Sequence, residues 1–235
     1  MQLVLLPGMD GTGELFVPLM SALSPALTAQ VIAFPGNHVM SYADLEQHVL
    51  SRLPAADFVL LGESFSGPLA IAVAAQRPAG LQGVVLCCTF AQNPRPGLAI
   101  FSRLLKSLAA LPIAPHRLVG LIRPFLLGSF SDTTLSLMLE KALRQVKPEV
   151  LLNRAQEVLL VDARKAFSTL TVPPLYLQAL QDRVIPARVV NRLIDIQPSL
   201  EIARINGPHC LLQASSLSCA RVIEGFCNRA KLANQ

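Results

Sequence analysis

Phe58-Val-Leu-Leu-Gly-Glu-Ser-Phe-Ser-Gly67 is the stretch that decides the fold. Its first four residues are apolar, as in a buried strand, and residues 66–76 have the composition of a helix. A tight turn that raises the Ser64 hydroxyl above a sheet would strain the serine backbone, so the residues two positions before and after it must be small. Gly62 and Ser66 meet this requirement. An ordinary strand-to-helix turn without any chemistry is the alternative.

Short runs rich in Val, Ile and Leu predict further buried strands on both sides of this stretch. The predicted strands are residues 3–6, 31–34, 58–61, 84–88, 175–177 and 201–205, and the predicted helices are residues 12–23, 42–53, 66–76, 187–196 and 209–229. Because strand and helix alternate, we predict an α/β fold with a doubly wound, mostly parallel sheet.

The alternation fails between residues 91 and 165, where apolar residues recur at helical spacing between prolines. Strand, turn and helix resume at Val172. We therefore predict an inserted all-helical cap at 91–165 in a single core made of residues 1–90 and 166–235.

The composition favours one globular catalytic domain. The chain has 235 residues, of which 52% are hydrophobic and 15% are charged. A net charge of +5 with no Trp and two Tyr gives little support to nucleic-acid binding. The N-terminus lacks the layout of a secretory signal, and the apolar runs are shorter than the ~20 residues of a transmembrane helix. The five cysteines lack Cys-x-x-Cys spacing, so we expect buried free thiols in a reducing cytoplasm.

The segment around Ser64 resembles the nucleophile elbow, Gly-x-Ser-x-Gly, of α/β-hydrolases. Ser66 replaces the last glycine of that pattern, and Gly67 follows it directly. The resemblance implies an α/β-hydrolase fold in which a histidine activates the serine and a carboxylate orients the histidine, in the chain order Ser, acid, His.

His209 is the histidine that fits this order. It lies directly after the predicted last strand and is the only histidine C-terminal to the insertion, whereas His38 and His48 precede the elbow and His116 falls in the insertion. A residue at a helix N-terminus without a chemical role is the alternative for His209.

Asp182 is the predicted acid, because it follows a strand and precedes Val-Ile-Pro, as the acid does in α/β-hydrolases. The alternatives are an aspartate that only begins the next helix, or another carboxylate such as Asp162. The strand before the insertion ends in Cys87-Cys88-Thr89 and offers no acid.

The resemblance also implies an oxyanion hole formed by the backbone N–H groups of Met9 and Phe65. The first loop, Pro7-Gly-Met-Asp-Gly-Thr-Gly13, is similar to the family's His-Gly-x-x-Gly, with Pro7 in place of the histidine. A phosphate-binding loop is the alternative, but the glycine spacing is not Gly-x-Gly-x-x-Gly and no Gly-Lys-Ser or Gly-Lys-Thr occurs.

Within the superfamily, the length, the cap and the first loop look most like small bacterial carboxylesterases, including the pimeloyl-carrier-protein methyl ester esterase group. The resemblance implies a serine hydrolase of carboxylic esters that needs no metal and no cofactor. There are three alternatives: a thioesterase acting on acyl-carrier-protein or acyl-CoA, a cofactor-free acyltransferase or haloperoxidase, and a binding protein on an inactive hydrolase fold.

The cap is predicted to cover the active site and to line an acyl pocket with apolar side chains. The candidates are Leu104, Leu105, Leu108, Phe125 and Leu126, which could instead pack only the cap's own core. Residues 91–165 contain eleven basic and five acidic residues, so the cap carries a net charge of +6 and the rest of the chain −1. An acidic acyl carrier protein, a coenzyme A thioester or an anionic surface would fit this charge, and a solvated face without a partner is the alternative.

Overall fold

One parallel sheet organises the protein in the computed structural model, which describes residues 1–97 and 119–232. Its strands are β1 (Gln2–Leu6), β2 (Thr28–Val31), β3 (Phe58–Glu63), β4 (Leu81–Cys87), β5 (Pro174–Ala179) and β6 (Glu201–Ile205). They lie in the order β2-β1-β3-β4-β5-β6, and every neighbouring pair is parallel. The strand order reverses between β1 and β3, which is where sheets of this kind bind ligands at the carboxyl ends of the strands.

Helices cover both faces of the sheet. In chain order they are α1 (Val17–Ala22), α2 (Tyr42–Leu50), α3 (Gly67–Ala75), α4 (Val119–Leu126), α5 (Thr133–Arg144), α6 (Pro148–Leu160), α7 (Arg164–Ser168), α8 (Arg188–Ile196), α9 (Leu211–Ala214) and α10 (Ser216–Leu232). The doubly wound α/β architecture predicted from the sequence is confirmed.

Alternate residues of each strand enter two separate cores, as the two-residue period of a strand requires. Leu60 of β3 packs with α2, α3 and α8, whereas its neighbour Leu61 packs with α1, α9 and α10. Both leucines are fully buried. The central strands are therefore buried on both faces, which explains why they are continuous apolar runs in the sequence.

Some predicted boundaries are wrong. The strand predicted at 31–34 ends at Val31 and begins earlier, at Thr28, because pairing with β1 depends on backbone groups and not on the apolar side chains of the edge strand. The Ile32 N–H still donates to the Leu5 carbonyl of β1 at 3.0 Å, whereas residues 33 and 34 leave the sheet and the Phe34 N–H donates to the Gly11 carbonyl at 2.7 Å. The helix predicted to begin at residue 209 begins at Leu211 and is interrupted at Ser215.

Helices α4, α5 and α6 and the start of α7 lie in the described part of the insertion. Its two ends lie together, since Gln92 and Asp162 form an antiparallel bridge and the Ala163 N–H donates to the Ala91 carbonyl at 2.7 Å. These contacts support the cap boundaries at 91 and 165, which stay a prediction. Helix α7 extends across the second boundary and buries Phe167 in the core.

No helix of residues 1–97 or 119–232 is both long enough and apolar enough to cross a membrane. All five cysteines carry free thiols; four of them are buried and Cys210 is partly buried.

Candidate active site

The turn after β3 has the strained geometry expected of a raised nucleophile. Ser64 has a φ of 49°, in the left-handed region that a non-glycine residue rarely adopts. A Cβ atom at Gly62 would lie 2.5 Å from the Ser66 carbonyl oxygen, so only glycine fits there. Thr89, two residues after β4, donates its hydroxyl to the Ser64 carbonyl and leaves no space for a side chain at Gly67. The strain at Ser64 is thus held by fixed neighbours on both sides.

A continuous chain of hydrogen bonds joins Ser64, His209 and Asp182. The Ser64 Oγ lies 2.9 Å from His209 Nε2, and His209 Nδ1 lies 2.9 Å from Asp182 Oδ2 and 3.1 Å from Oδ1. The side chains of His209 and Asp182 are 6% and 8% exposed. In the sequence, Ser64 and His209 are 145 positions apart, and Asp182 and His209 are 27 positions apart. The three residues come together because they follow the carboxyl ends of β3, β5 and β6.

Asp182 is held by its own turn and does not begin a helix. Its Oδ1 accepts hydrogen bonds from the Val184 and Ile185 N–H groups at 2.7 and 2.9 Å, while α8 begins only at Arg188. The competing carboxylate, Asp162, lies on the surface, where bonds from Arg164 lower its pKa to about 2. Asp162 is therefore not part of this hydrogen-bond chain.

The other histidines do not reach Ser64 in the described structure. His48 Nε2 lies 2.9 Å from the Ala33 carbonyl oxygen and His38 Nδ1 lies 3.0 Å from the Asn37 side chain, and both bonds are exposed. His116 lies outside the described residues.

The loop after β1 lies against the elbow and carries Met9. Ser66 donates its hydroxyl to the Pro7 carbonyl, and the Gly11 N–H closes a turn onto the Gly8 carbonyl at 3.1 Å. Ser66 thus joins this loop to the elbow, a bond that the usual glycine could not make. On the other side, the Tyr42 hydroxyl donates to the Phe65 carbonyl at 2.7 Å, and the two rings stack with centroids 4.8 Å apart.

Two buried carboxylates lie behind the site, and sequence reasoning assigned a role to neither. Glu63, directly before Ser64, accepts a bond from Gln213 at 3.0 Å and another from the Gly8 N–H. The pKa of Glu63 is raised to about 7, mainly by burial; the hydrogen bond from Gln213 lowers this pKa and the charge of the nearby Asp10 raises it. Burial also raises the pKa of Asp10, whose carboxylate accepts bonds from the N–H and hydroxyl of Thr12.

Arg154 of α6 is a further buried charge that the sequence reasoning counted only among the basic residues of the cap. It is 2% exposed, and burial lowers its pKa to about 10, so it is a cation at neutral pH. Its guanidinium donates to the carbonyls of Met9, Asp10 and Pro35 at 2.8, 2.9 and 3.0 Å. The signal in the sequence is its position four residues from the buried Val150, on the face of α6 that packs inward.

One group of potential metal ligands occurs in the described part of the chain, formed by Cys88, Asp182 and His209, whose ligand atoms lie within 4.8 Å of one another. Asp182 and His209 are already bonded to each other. Burial raises the pKa of the Cys88 thiol, which disfavours the thiolate that a metal requires. The arrangement therefore suits a hydrogen-bonded triad better than a metal site.

The residues predicted to line an acyl pocket differ in their surroundings. Phe125 is 57% exposed, whereas Leu126 packs with Val119, Leu139 and Leu143 in a small core of the cap. The Leu126 carbonyl accepts a bond from the Cys210 N–H at 3.0 Å, so the end of α4 touches the loop of His209. Leu104, Leu105 and Leu108 lie outside the described residues.

Much of the charge on the cap is paired. Residues 98–118, which the structure does not describe, hold three of the eleven basic residues and none of the acidic ones, so the described part of the cap carries a net charge of +3. Four of its basic side chains form ion pairs at the surface, namely Lys141 with Glu14, Arg144 with Glu140, Lys147 with Glu149 and Arg164 with Asp162. The uniform basic face suggested by the residue count is therefore interrupted by carboxylates.

Comparison with known proteins supports the architecture over nearly the whole chain. The sequence profile of a group described as the alpha/beta hydrolase family matches residues 3–221. Among the curated proteins, no match to the sequence is found.

Similar solved structures include a bromoperoxidase from Bacillus anthracis, with 15% identity, a TM-score of 0.83 and coverage of 97% of this chain and 91% of that one. An enol-lactonase from Burkholderia xenovorans has 16% identity, a TM-score of 0.80 and coverage of 97% and 91%. A structure from a study of carboxylesterases of Nitrososphaera gargenis has 13% identity, a TM-score of 0.82 and coverage of 99% and 91%. At these identities the likeness concerns the fold alone.

Proposed function

We propose that this chain, which belongs to the alpha/beta hydrolase family, is a serine hydrolase. It cleaves carboxylic esters through an acyl-enzyme intermediate on Ser64. The observation that carries the proposal is the Ser64–His209–Asp182 hydrogen-bond chain, with 2.9 Å at both links, at a serine whose backbone is strained. That geometry is the one in which a base can take the serine proton while a carboxylate fixes its tautomer.

In the first step, Ser64 Oγ attacks the ester carbonyl carbon and His209 Nε2 accepts the hydroxyl proton. Asp182 holds the Nδ1 proton of His209 and stabilises the imidazolium that forms. Collapse of the tetrahedral intermediate breaks the bond to the alcohol, which leaves with the proton from His209. Water then repeats the sequence on the acyl-enzyme, which releases the carboxylic acid and restores Ser64.

The backbone N–H groups of Met9 and Phe65 are the proposed donors to the oxyanion. Phe65 follows the nucleophile directly, and the loop of Met9 is fastened to the elbow through Ser66 and Pro7. Preorganised donors of this kind stabilise the charge that develops on the carbonyl oxygen. The end of strand β4 and the two residues after it, Cys87-Cys88-Thr89, offer no carboxylate, which leaves Asp182 as the acid of the proposed triad.

Labelling with a fluorophosphonate probe tests the proposed nucleophile. We expect the wild-type protein to react with the probe and Ser64→Ala to lose the reaction, whereas Ser129→Ala, at an exposed serine of the cap, keeps it. Labelling that survives Ser64→Ala would refute the assignment and favour a protein whose fold serves another purpose.

Carrier-protein-linked acyl methyl esters are the proposed substrates within this class, and thioesters are the alternative. The support is the net positive charge of the cap, which the ion pairs described above reduce locally. Hydrolysis of a carrier-protein-linked ester and of a small neutral ester of the same acyl group should respond differently to ionic strength, since salt screens only the charged partner. If both respond alike, and charge reversal at Arg123 and Arg144 leaves their ratio unchanged, carrier docking on the cap is wrong.

Phe125 and Leu126 stay candidates for contact with the acyl chain, because the end of α4 lies beside the His209 loop. Replacing Phe125 with Trp should shift the preferred acyl length in a panel of esters and thioesters. The same panel, run with alcohol or peroxide present, separates hydrolysis from acyl transfer and perhydrolysis by its products.

A further inference from the structure

A guanidinium from the cap lies inside the loop that carries Met9. Arg154 crosses from α6 and donates to the Met9 and Asp10 carbonyls through one nitrogen, Nη1, and to the Pro35 carbonyl through Nη2. A Cβ at Gly11 would lie 2.5 Å from Nη1, so the loop backbone closes directly over the guanidinium. The loop and the cap helix thus share one buried polar contact.

The same guanidinium also touches the residue after the nucleophile. Its Cζ lies 6.0 Å from the centroid of the Phe65 ring and 5.7 Å from that of Phe34, which places the cation among aromatic rings. Arg154 therefore contacts both residues, Met9 and Phe65, whose N–H groups are the proposed oxyanion donors.

Anchoring the cap helix does not require a buried cation. Neighbouring side chains of α6 already fasten it to the core: Asn153 donates to the Met40 carbonyl at 2.8 Å, and the Glu157 carboxylate accepts from the Tyr42 N–H at 2.8 Å. A buried charge is unfavourable unless its partners are well placed, whereas the planar fork of an arginine fixes several acceptors relative to one another. Three carbonyls on two segments are acceptors of this kind.

We propose that Arg154 is a positioning residue of the oxyanion hole, a role that rests on the proposed function. By fixing the Met9 and Asp10 carbonyls, it fixes the turn from Gly8 to Gly11 and with it the direction of the Met9 N–H. The arginine does not touch the substrate; it acts through the loop backbone. Misplacement of a catalytic donor by about 1 Å can lower a rate by about a hundredfold.

Two variants, Arg154→Met and Arg154→Lys, test this role. Asn153→Ala is the matched control, because it removes a bond that anchors the same helix but does not reach the Met9 loop. The readouts are kcat and KM for a small neutral ester, and the inhibition constant of a trifluoromethyl ketone, which forms a tetrahedral oxyanion with the serine. An analogue of the transition state senses the oxyanion hole more strongly than the substrate does.

For Arg154→Met we expect kcat to fall at least about tenfold with KM within about threefold of the wild-type value, and the affinity for the ketone to fall in parallel with kcat/KM. Arg154→Lys keeps the charge but not the fork, so its kcat should lie between those of Arg154→Met and the wild type. If Arg154→Met does not fold, Arg154→Lys decides alone, with a kcat at least about threefold below the wild type and a matching loss of ketone affinity. Asn153→Ala should leave both within about twofold.

The inference is overturned if the Arg154 variants keep the wild-type kcat, if ketone affinity does not follow kcat/KM, or if Asn153→Ala loses as much as Arg154→Lys. Failure of the proposed function is distinguishable, because wild-type protein would then show no fluorophosphonate labelling at Ser64. Labelled wild-type protein with unaffected Arg154 variants refutes only the positioning role.

Discussion

Replacing Glu63 with Gln should remove a defined part of the pH dependence of the protein's stability. The Glu63 side chain is buried beside the nucleophile, and its residue is 6% exposed. Burial raises the pKa of its carboxyl group from 4.5 to about 7, so the folded protein holds this proton at pH values at which the unfolded chain has released it. Stability therefore decreases as the pH rises from about 4.5 to about 7, and the loss is constant above that window.

The size of the effect follows from the pKa shift. The rise in pKa from 4.5 to about 7 corresponds to about 3 kcal/mol of unfolding free energy at high pH, because a tenfold change in an equilibrium constant is worth ~1.4 kcal/mol. Glutamine cannot ionise and keeps a similar shape. The difference in unfolding free energy between Glu63→Gln and the wild type should increase in favour of the variant by roughly 2–3 kcal/mol between pH 5 and pH 8.

Urea unfolding followed by circular dichroism at pH 5, 6, 7 and 8 measures this difference, because the absence of Trp leaves little fluorescence signal. Titrating groups that do not interact with Glu63 contribute equally to both proteins and cancel in the difference. Glu149→Gln, at a carboxylate with a side chain that is 53% exposed, is the control and should show no comparable trend. A difference in unfolding free energy between Glu63→Gln and the wild type that is the same at all four pH values would contradict the raised pKa of Glu63.

Three further substitutions test the framework of the site. Asp182→Asn should lower kcat by about 10³–10⁴ by favouring the wrong His209 tautomer, measured as steady-state ester hydrolysis; a change below tenfold would exclude this acid. Gly62→Ala should destabilise the protein by about 1–3 kcal/mol because its Cβ would lie 2.5 Å from a backbone oxygen, whereas Gly120→Ala, with open space around it, should be neutral or stabilise by up to about 1 kcal/mol. Thermal melts that rank the two alike would contradict the steric argument. Thr89→Val leaves the Ser64 carbonyl without its hydroxyl donor and should lower the unfolding free energy by about 1–3 kcal/mol, measured by urea unfolding. An unchanged urea midpoint would show that this bond does not hold the elbow.

The sequence predicts the sheet and the residues at its carboxyl edge well, for a physical reason. A strand buried on both faces is a continuous apolar run, and a turn as tight as the one at Ser64 admits only small neighbours, so both leave local signals. Asp182 follows such a strand, and His209 follows the edge strand β6, so the sequence predicts both residues at this end of the sheet. Their assembly with Ser64 follows from the parallel order of the strands.

Contacts that depend on the cap could not be predicted in the same way. Arg154 lies in a helix of the insertion, and its acceptors are backbone carbonyls, which leave no mark in the sequence. Glu63 occupies a variable position of the elbow pattern, and Gln213, its partner 150 residues further along the chain, belongs to no motif. The predicted bounds of strand β2 are wrong because the apolar residues Ile32 and Phe34, which follow it, are buried in the core beyond the paired part of the strand.

Trapping of the acyl-enzyme tests the central claim most directly. The protein is mixed with a p-nitrophenyl ester, quenched in acid within milliseconds to seconds, and analysed by intact-mass and peptide mass spectrometry. The proposed mechanism predicts a burst of one p-nitrophenol per protein and a single acyl group on the peptide containing Ser64, both absent in Ser64→Ala. Turnover of the ester without an acyl adduct, or an adduct on another residue such as Cys210, would contradict it.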